Sequence, residues 1–210
     1  DPSHSKEPFL LLWTDWAQTY PGNQRIKVKV LESILKLITP DIVLDKEVFH
    51  YLSLSDQKDV WIQCNAISIL KRLDPSLFHE VATKRLGTYG TDPDFFVRQH
   101  ITTLLEQEDI AINPSFLAHI HNDPSEFVRQ TLCQKIAFLP QGIVSQLLED
   151  SSPQVRASAL LNIMSMCSFK ERCDRLLDRC THELDLFVLR VCLKCIKDGF
   201  SDLKPDEQKK

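Results

Sequence analysis

Residues 91–101 read TDPDFFVRQHI, and residues 122–132 read NDPSEFVRQTL. Both run Asp-Pro, two variable residues, then Phe-Val-Arg-Gln. Aligning the chain on the Val of this phrase brings out further copies, anchored at Ile26, Ile62, Val97, Val128, Val155 and Val188. The anchors are about 27 to 36 residues apart, a spacing expected of helical repeats. Four residues beyond each anchor stand Val30, Ala66, Ile101, Leu132, Ala159 and Cys192, and eight residues beyond stand Ile34, Leu70, Leu105, Ile136, Ile163 and Ile196. Positions 0, 4 and 8 fall along one stripe of an α-helix, so each copy supplies a helix with one face to bury.

Upstream of each anchored helix lies a second helical segment, near 9–19, 41–54, 75–88, 114–121, 140–149 and 169–181. Pro8, Pro40, Pro75, Pro114 and Pro140 fall at or just before several of them, as expected where helices begin. The unit is therefore a helical hairpin. One hairpin cannot close a core, but stacked neighbours can. The expected fold is an all-α solenoid of six hairpins at about 8–39, 40–73, 74–106, 113–138, 139–167 and 168–199. These form one domain over 1–200, followed by a polar tail over 201–210 expected to be disordered.

The repeated phrase suits a helix start. Asp123 is a good N-cap, Pro124 fits the first helical position, and Glu126 completes an Asp-x-x-Glu capping box. Ser152-Pro153 repeats the arrangement with Ser. Capping leaves the Arg unexplained. Asp92/Arg98, Asp123/Arg129 and Asp150/Arg156 keep a six-residue spacing, about 120° apart around a helix and too far round to face each other. In a stack each can reach the equivalent turn of the adjacent hairpin, so these six residues are expected to form an inter-repeat ladder. The alternative is a solvated capping Asp and an exposed Arg.

Three stretches, each followed by the apolar column, resemble the HEAT-repeat family, including the variant found in phycobilisome lyases. They are DPDFFVRQHI from Asp92, DPSEFVRQTL from Asp123, and the run from Asp150 through Val155-Arg156 to Leu160. The resemblance is strongest over 92–165. Gln63 replaces the Arg at 56–73, Leu189 replaces it at 183–199 with Arg190 shifted by one, and only Lys27 and the spacing survive at 21–38. The resemblance implies a right-handed superhelical scaffold whose second helices line a concave surface that binds another protein.

Catalysis finds little support in the residues. Di-iron hydroxylases of this fold class carry His-Glu pairs directly after the Val-Arg. His79-Glu80 and His182-Glu183 lie elsewhere, so surface or capping roles are expected for them. Cys192 and Cys195 match C-x-x-C, yet fall in or beside the apolar columns and are expected to act as small buried hydrophobes. No metal or other cofactor is expected. A cofactor-chaperoning accessory subunit of the lyase kind is the alternative.

Nucleic acid is the weaker rival. Positions two, six and nine beyond the anchors read Gln99, Thr103 and Glu106, then Gln130, Gln134 and Ala137, then Ala157, Leu161 and Met164. No phosphate-neutralising stripe appears there. Ala137, Ala157, Leu161 and Met164 instead suggest an apolar patch for a partner helix or peptide, unless neighbouring helices bury them.

Net charge −4 gives no electrostatic footprint for an anionic polymer or membrane. Seven cysteines, an odd number set in helical patterns, point to a reducing, intracellular compartment, the cytoplasm first. The start at Asp1-Pro2 and the apolar run FLLLWTDW at 9–16 suggest a piece of a longer protein, with that helix packing on something further.

Overall fold

A computed structural model describes residues 24–39, 44–54, 59–88 and 95–201. The 9–19 segment, Asp92 and the tail beyond Ser201 lie outside the described residues. Those described are helical, with no strand among them. None of their helices is long and apolar enough to cross a membrane.

The expected single domain divides into two compact units, residues 1–119 and 120–210. The first holds α1 (Gln24–Leu37), α2 (Lys46–Leu54), α3 (Val60–Leu73), α4 (Pro75–Gly87), α5 (Phe95–Leu104) and α6 (Gln107–Ile112). The division falls within α7 (Ser115–His121). The second unit holds α8 (Glu126–Cys133), a 3-10 turn at Ile136–Phe138, α9 (Gln141–Leu148), α10 (Pro153–Met164), α11 (Phe169–His182) and α12 (Leu186–Ser201). The short α6 lies in the stretch that separated two expected hairpins.

Within the first unit the anchored helices pack in chain order, α1 on α3 and α3 on α5, while α2 and α4 pack on α3 and on each other. The second unit repeats the scheme: α8 packs on α10 and α10 on α12, with α9 against α10 and α11 against α12. The repeat columns explain this. Ile62, Val97, Val128, Val155 and Val188 are fully buried, as are Ala66, Ile101, Ala159 and Cys192. Leu70, Leu105, Ile136 and Ile163 are buried too, although Leu105 and Ile136 lie just past their helices. Each such Leu, Ile or Val contributes about 1.5–3 kcal/mol of transfer free energy. The outer helices depart from the pattern. Ile26 is 44% exposed and Val30 half-buried, whereas Ile34 of the expected column is fully buried, with Leu31 beside it. Ile196 is half-buried.

Polar bonds also join successive elements of the first unit. The Arg72 guanidinium donates to the Leu35 carbonyl at 2.8 Å. Arg85 donates twice to the Ser53 carbonyl, at 3.2 and 2.9 Å. Asp74, the N-cap of α4 before Pro75, accepts from the backbone of Ser76 and Leu77 and from Lys46.

The repeated phrase starts its helix later than expected. The N-cap of α8 is Ser125, not Asp123, so Pro124 lies outside the helix. Asp123 accepts from the Ser125 N–H at 2.8 Å, forming an Asx turn before the helix. Glu126 does not reach back to close a capping box; its carboxylate receives the Ser152 hydroxyl from the following repeat. Ser152 is the N-cap of α10 with Pro153 in the first turn, but its hydroxyl makes no capping bond.

Candidate functional site

In the second unit the turn before each anchored helix carries an acid five residues ahead of the anchor: Asp123, Asp150 and Glu183. Each accepts the backbone N–H two residues on, from Ser125 at 2.8 Å, Ser152 at 2.8 Å and Asp185 at 3.0 Å. For Asp150 and Glu183 an arginine from the preceding repeat then grips the acid. Arg129 Nε and Nη2 lie 2.7 and 2.9 Å from the two Asp150 oxygens, while Nη1 donates to the Asp123 carbonyl at 2.6 Å. Arg156 repeats this one step on, at 3.0 and 2.9 Å from Glu183 and 2.8 Å from the Asp150 carbonyl. Both contacts are bidentate forks, which only Arg can make.

Arg129, Asp150 and Arg156 thus meet in one chain of bonds, which continues to Glu183. A pattern written for Asp alone misses Glu183, and a surface or capping role was expected for the pair His182-Glu183. His182 is exposed, whereas Glu183 is buried. Its signal in the sequence is its distance from Val188, the same as that of Asp150 from Val155. Arg98 and Asp123 are both buried.

The electrostatics follow the geometry. The Arg156 fork, against the opposing effect of burial, holds the Glu183 carboxyl at about 2, with the Asp185 N–H and Arg179 assisting. Burial pushes the Asp150 carboxyl up, but Arg129 and the Ser152 N–H outweigh it and leave it below the ordinary carboxylate value.

The expected apolar patch does not form as a surface. Ala137 and Leu161 are exposed, but Ala157 and Met164 are buried at 2% and 3%. Ala157 lies on α10, against which α12 packs. Met164, at the end of α10, shares a small cleft with Leu148, Leu160, Ile163 and Arg175, where α11 approaches. The chain therefore does not offer these four as one contact surface.

Another apolar opening exists in the first unit. Val60, Trp61 and Cys64 of α3 and Phe96, Gln99, His100 and Thr103 of α5 line a cleft of about 370 Å³. Trp61 and Phe96 each stand one residue before their anchors and are 67% and 55% exposed, so two large rings flank its mouth. Phe95 stacks on Phe96, with centroids 4.2 Å apart. The Asp59 carboxylate caps α3 by accepting the Trp61 N–H at 3.0 Å, which fixes where the indole emerges. His100 is half-buried, and desolvation lowers its pKa. The Ser68 hydroxyl lies 2.7 Å from its Nε2, and its ring also bonds the Cys64 carbonyl. Both nitrogens are committed, leaving no base for the neighbouring Cys64 thiol. The aromatic residue one place before the anchor recurs at Phe127 and Phe187, a regularity visible in the sequence itself.

His79 also differs from its expected surface role. Its Nε2 lies 2.7 Å from the Asp109 carboxylate, which also binds Lys71 and accepts the Glu106 N–H. Phe78 and Phe116 stand beside the His79 ring. Burial raises the Asp109 carboxyl, but Lys71, His79 and the Glu106 N–H more than offset it and keep it ionised. Cys192 and Cys195 are both buried. Among the described residues no three His, Cys, Asp or Glu side chains cluster as a metal site.

No protein-family model matches this chain, and no curated protein matches it.

Proposed function

We propose that the chain is a non-catalytic scaffold of the HEAT-repeat type, a right-handed solenoid of helical hairpins that binds another protein through its second helices. The shared packing scheme of the two units supports the solenoid, because in each the anchored helices stack in chain order with burial along the same columns. The cleft between α3 and α5 carries the functional proposal. Two exposed aromatic rings around an apolar opening suit a large apolar side chain of a partner peptide.

A catalytic role gains no support from the cleft, whose His100 is neutral and engaged on both sides. A nucleic-acid role gains none from Gln99, Thr103, Gln130 and Gln134, which carry no charge to neutralise phosphates. The test is selection of a displayed peptide library on the native chain. Enriched peptides are expected to share a bulky apolar residue and to lose binding to Trp61→Ala/Phe96→Ala. Peptides that bind the double variant equally well would remove the cleft as the binding site.

A further inference from the structure

In the second unit, α12 carries an exposed side that matches, place for place, sides that α8 and α10 have covered. In α8 and α10, residues on the side facing the next repeat are bonded or buried. One place beyond the anchor, Arg129 and Arg156 hold the next acid. Two places beyond, Gln130 donates to Ser158 at 2.9 Å. Five places beyond, Cys133 lies 3.6 Å from the Val155 carbonyl, and Leu160 is 3% exposed. Two places before the anchor, Glu126 receives the Ser152 hydroxyl.

In α12 the same places carry Leu189, Arg190, Leu193 and Leu186. Leu193 and Leu186 are 62% and 71% exposed, and Arg190 is exposed. On α11, Leu177 is 60% exposed, whereas its counterpart Val144 on α9, placed six residues before the acid in the same way, is buried. Among the described residues no helix follows α12 to cover them. Here the arginine of the fork has become leucine, and the covered column keeps its leucine.

We propose that this side of α11 and α12 docks an amphipathic α-helix of a partner protein, one presenting an apolar stripe to Leu186, Leu193 and Leu177 and acidic side chains to Arg190 and Lys194. The docked helix continues the helix-on-helix interface already made twice within the unit, by α8 with α10 and by α10 with α12. Residues 186 to 193 span about 10 Å along the axis, so two to three turns of partner helix cover the face. Charge selects the partner. Arg190 and Lys194 are both exposed beside the leucines. In a two-fold contact between copies centred on this pair, the cations of one copy would face those of the other, which like charge disfavours. An acidic edge is complementary. The proposal rests on the repeat register of the second unit and is independent of the Trp61 cleft.

The probe is a fluorescent helical peptide of about 20 residues with leucines along one face and glutamates along its edges. Its control is the isomer with lysines for glutamates. Anisotropy titration of the full chain is expected to show saturable binding of the glutamate peptide, at least about tenfold tighter than the lysine peptide. Leu193→Glu is expected to weaken binding at least about tenfold, Arg190→Glu/Lys194→Glu to reverse the preference, and Trp61→Ala to change nothing. If Leu193→Glu lowers the melting temperature, the charge-reversed pair alone carries the test. Absent or unselective binding would overturn the proposal, as would a dimer in light scattering that Leu193→Glu dissolves, which would give the face to a second copy.

Discussion

Arg129 holds both carboxylate oxygens of Asp150 while a third nitrogen of the same guanidinium grips the carbonyl of Asp123. One side chain thereby ties the turn that starts its own helix to the turn that starts the next. Both partners are mostly buried, with side-chain exposures of 12% and 9%. The bond network therefore operates where water competes weakly, and removing one member leaves the other unsatisfied.

Arg129→Ala is expected to cost about 1–3 kcal/mol in urea unfolding. Arg129→Lys should recover only part of this, because an ammonium cannot make the two parallel bonds. An Ala variant as stable as the parent would show that the arginine fork adds nothing to the stack.

Acid should unfasten the second unit through Glu183. Its folded pKa, about 2, lies below the ordinary value of 4.5, so the folded state binds the proton less readily. The resulting stability is present in full above about pH 4.5 and drains away as pH falls towards 2. Thermal melts across this range should therefore fall more steeply for the parent than for Glu183→Gln, which starts lower at neutral pH. Parallel profiles would place the acid sensitivity elsewhere.

Asp109 is expected to matter more than its surroundings suggest. Asp109→Ala leaves the Lys71 ammonium, only 16% exposed, without its closest acid, at a cost of about 3 kcal/mol. Replacing both, as Lys71→Met/Asp109→Leu, should restore only part of the loss, since apolar packing substitutes for the pair but leaves His79 and the Glu106 N–H without Asp109. Denaturation midpoints of the single and double variants check this. A double variant no better than the single one would count against the pairing.

Thiol labelling should sort the seven cysteines by burial. Desolvation pushes Cys133 and Cys192 up to about 12, and both are buried. A brief iodoacetamide pulse at pH 8, read by mass spectrometry, is expected to modify Cys167, Cys173 and Cys180, which are half-buried, ahead of these two. Rapid native labelling of Cys133 would contradict the packing of α8 on α10.

The helical class and the buried columns were legible because both arise from a local period. A residue's place along a helix stripe follows from its number, so Ile62, Val97 and Val155 could be assigned to the interior from spacing alone. The distance of the acid from the anchor was equally legible, and a pattern restricted to Asp hid Glu183. Capping was misplaced because Asp123 satisfies its turn two residues before the helix begins, a choice between neighbouring hydrogen bonds that composition does not settle.

Period and polarity belong to the chain alone, and they were enough to say which stretches are helical and which side of each helix seeks cover. Which surfaces stay open depended on how closely neighbouring helices approach. That approach buries Ala157 and Met164, leaves Trp61 and Phe96 around a cleft, and exposes Leu193 where Leu160 is covered. Exposure is a relation between elements distant along the chain, and their packing in space is what sets it.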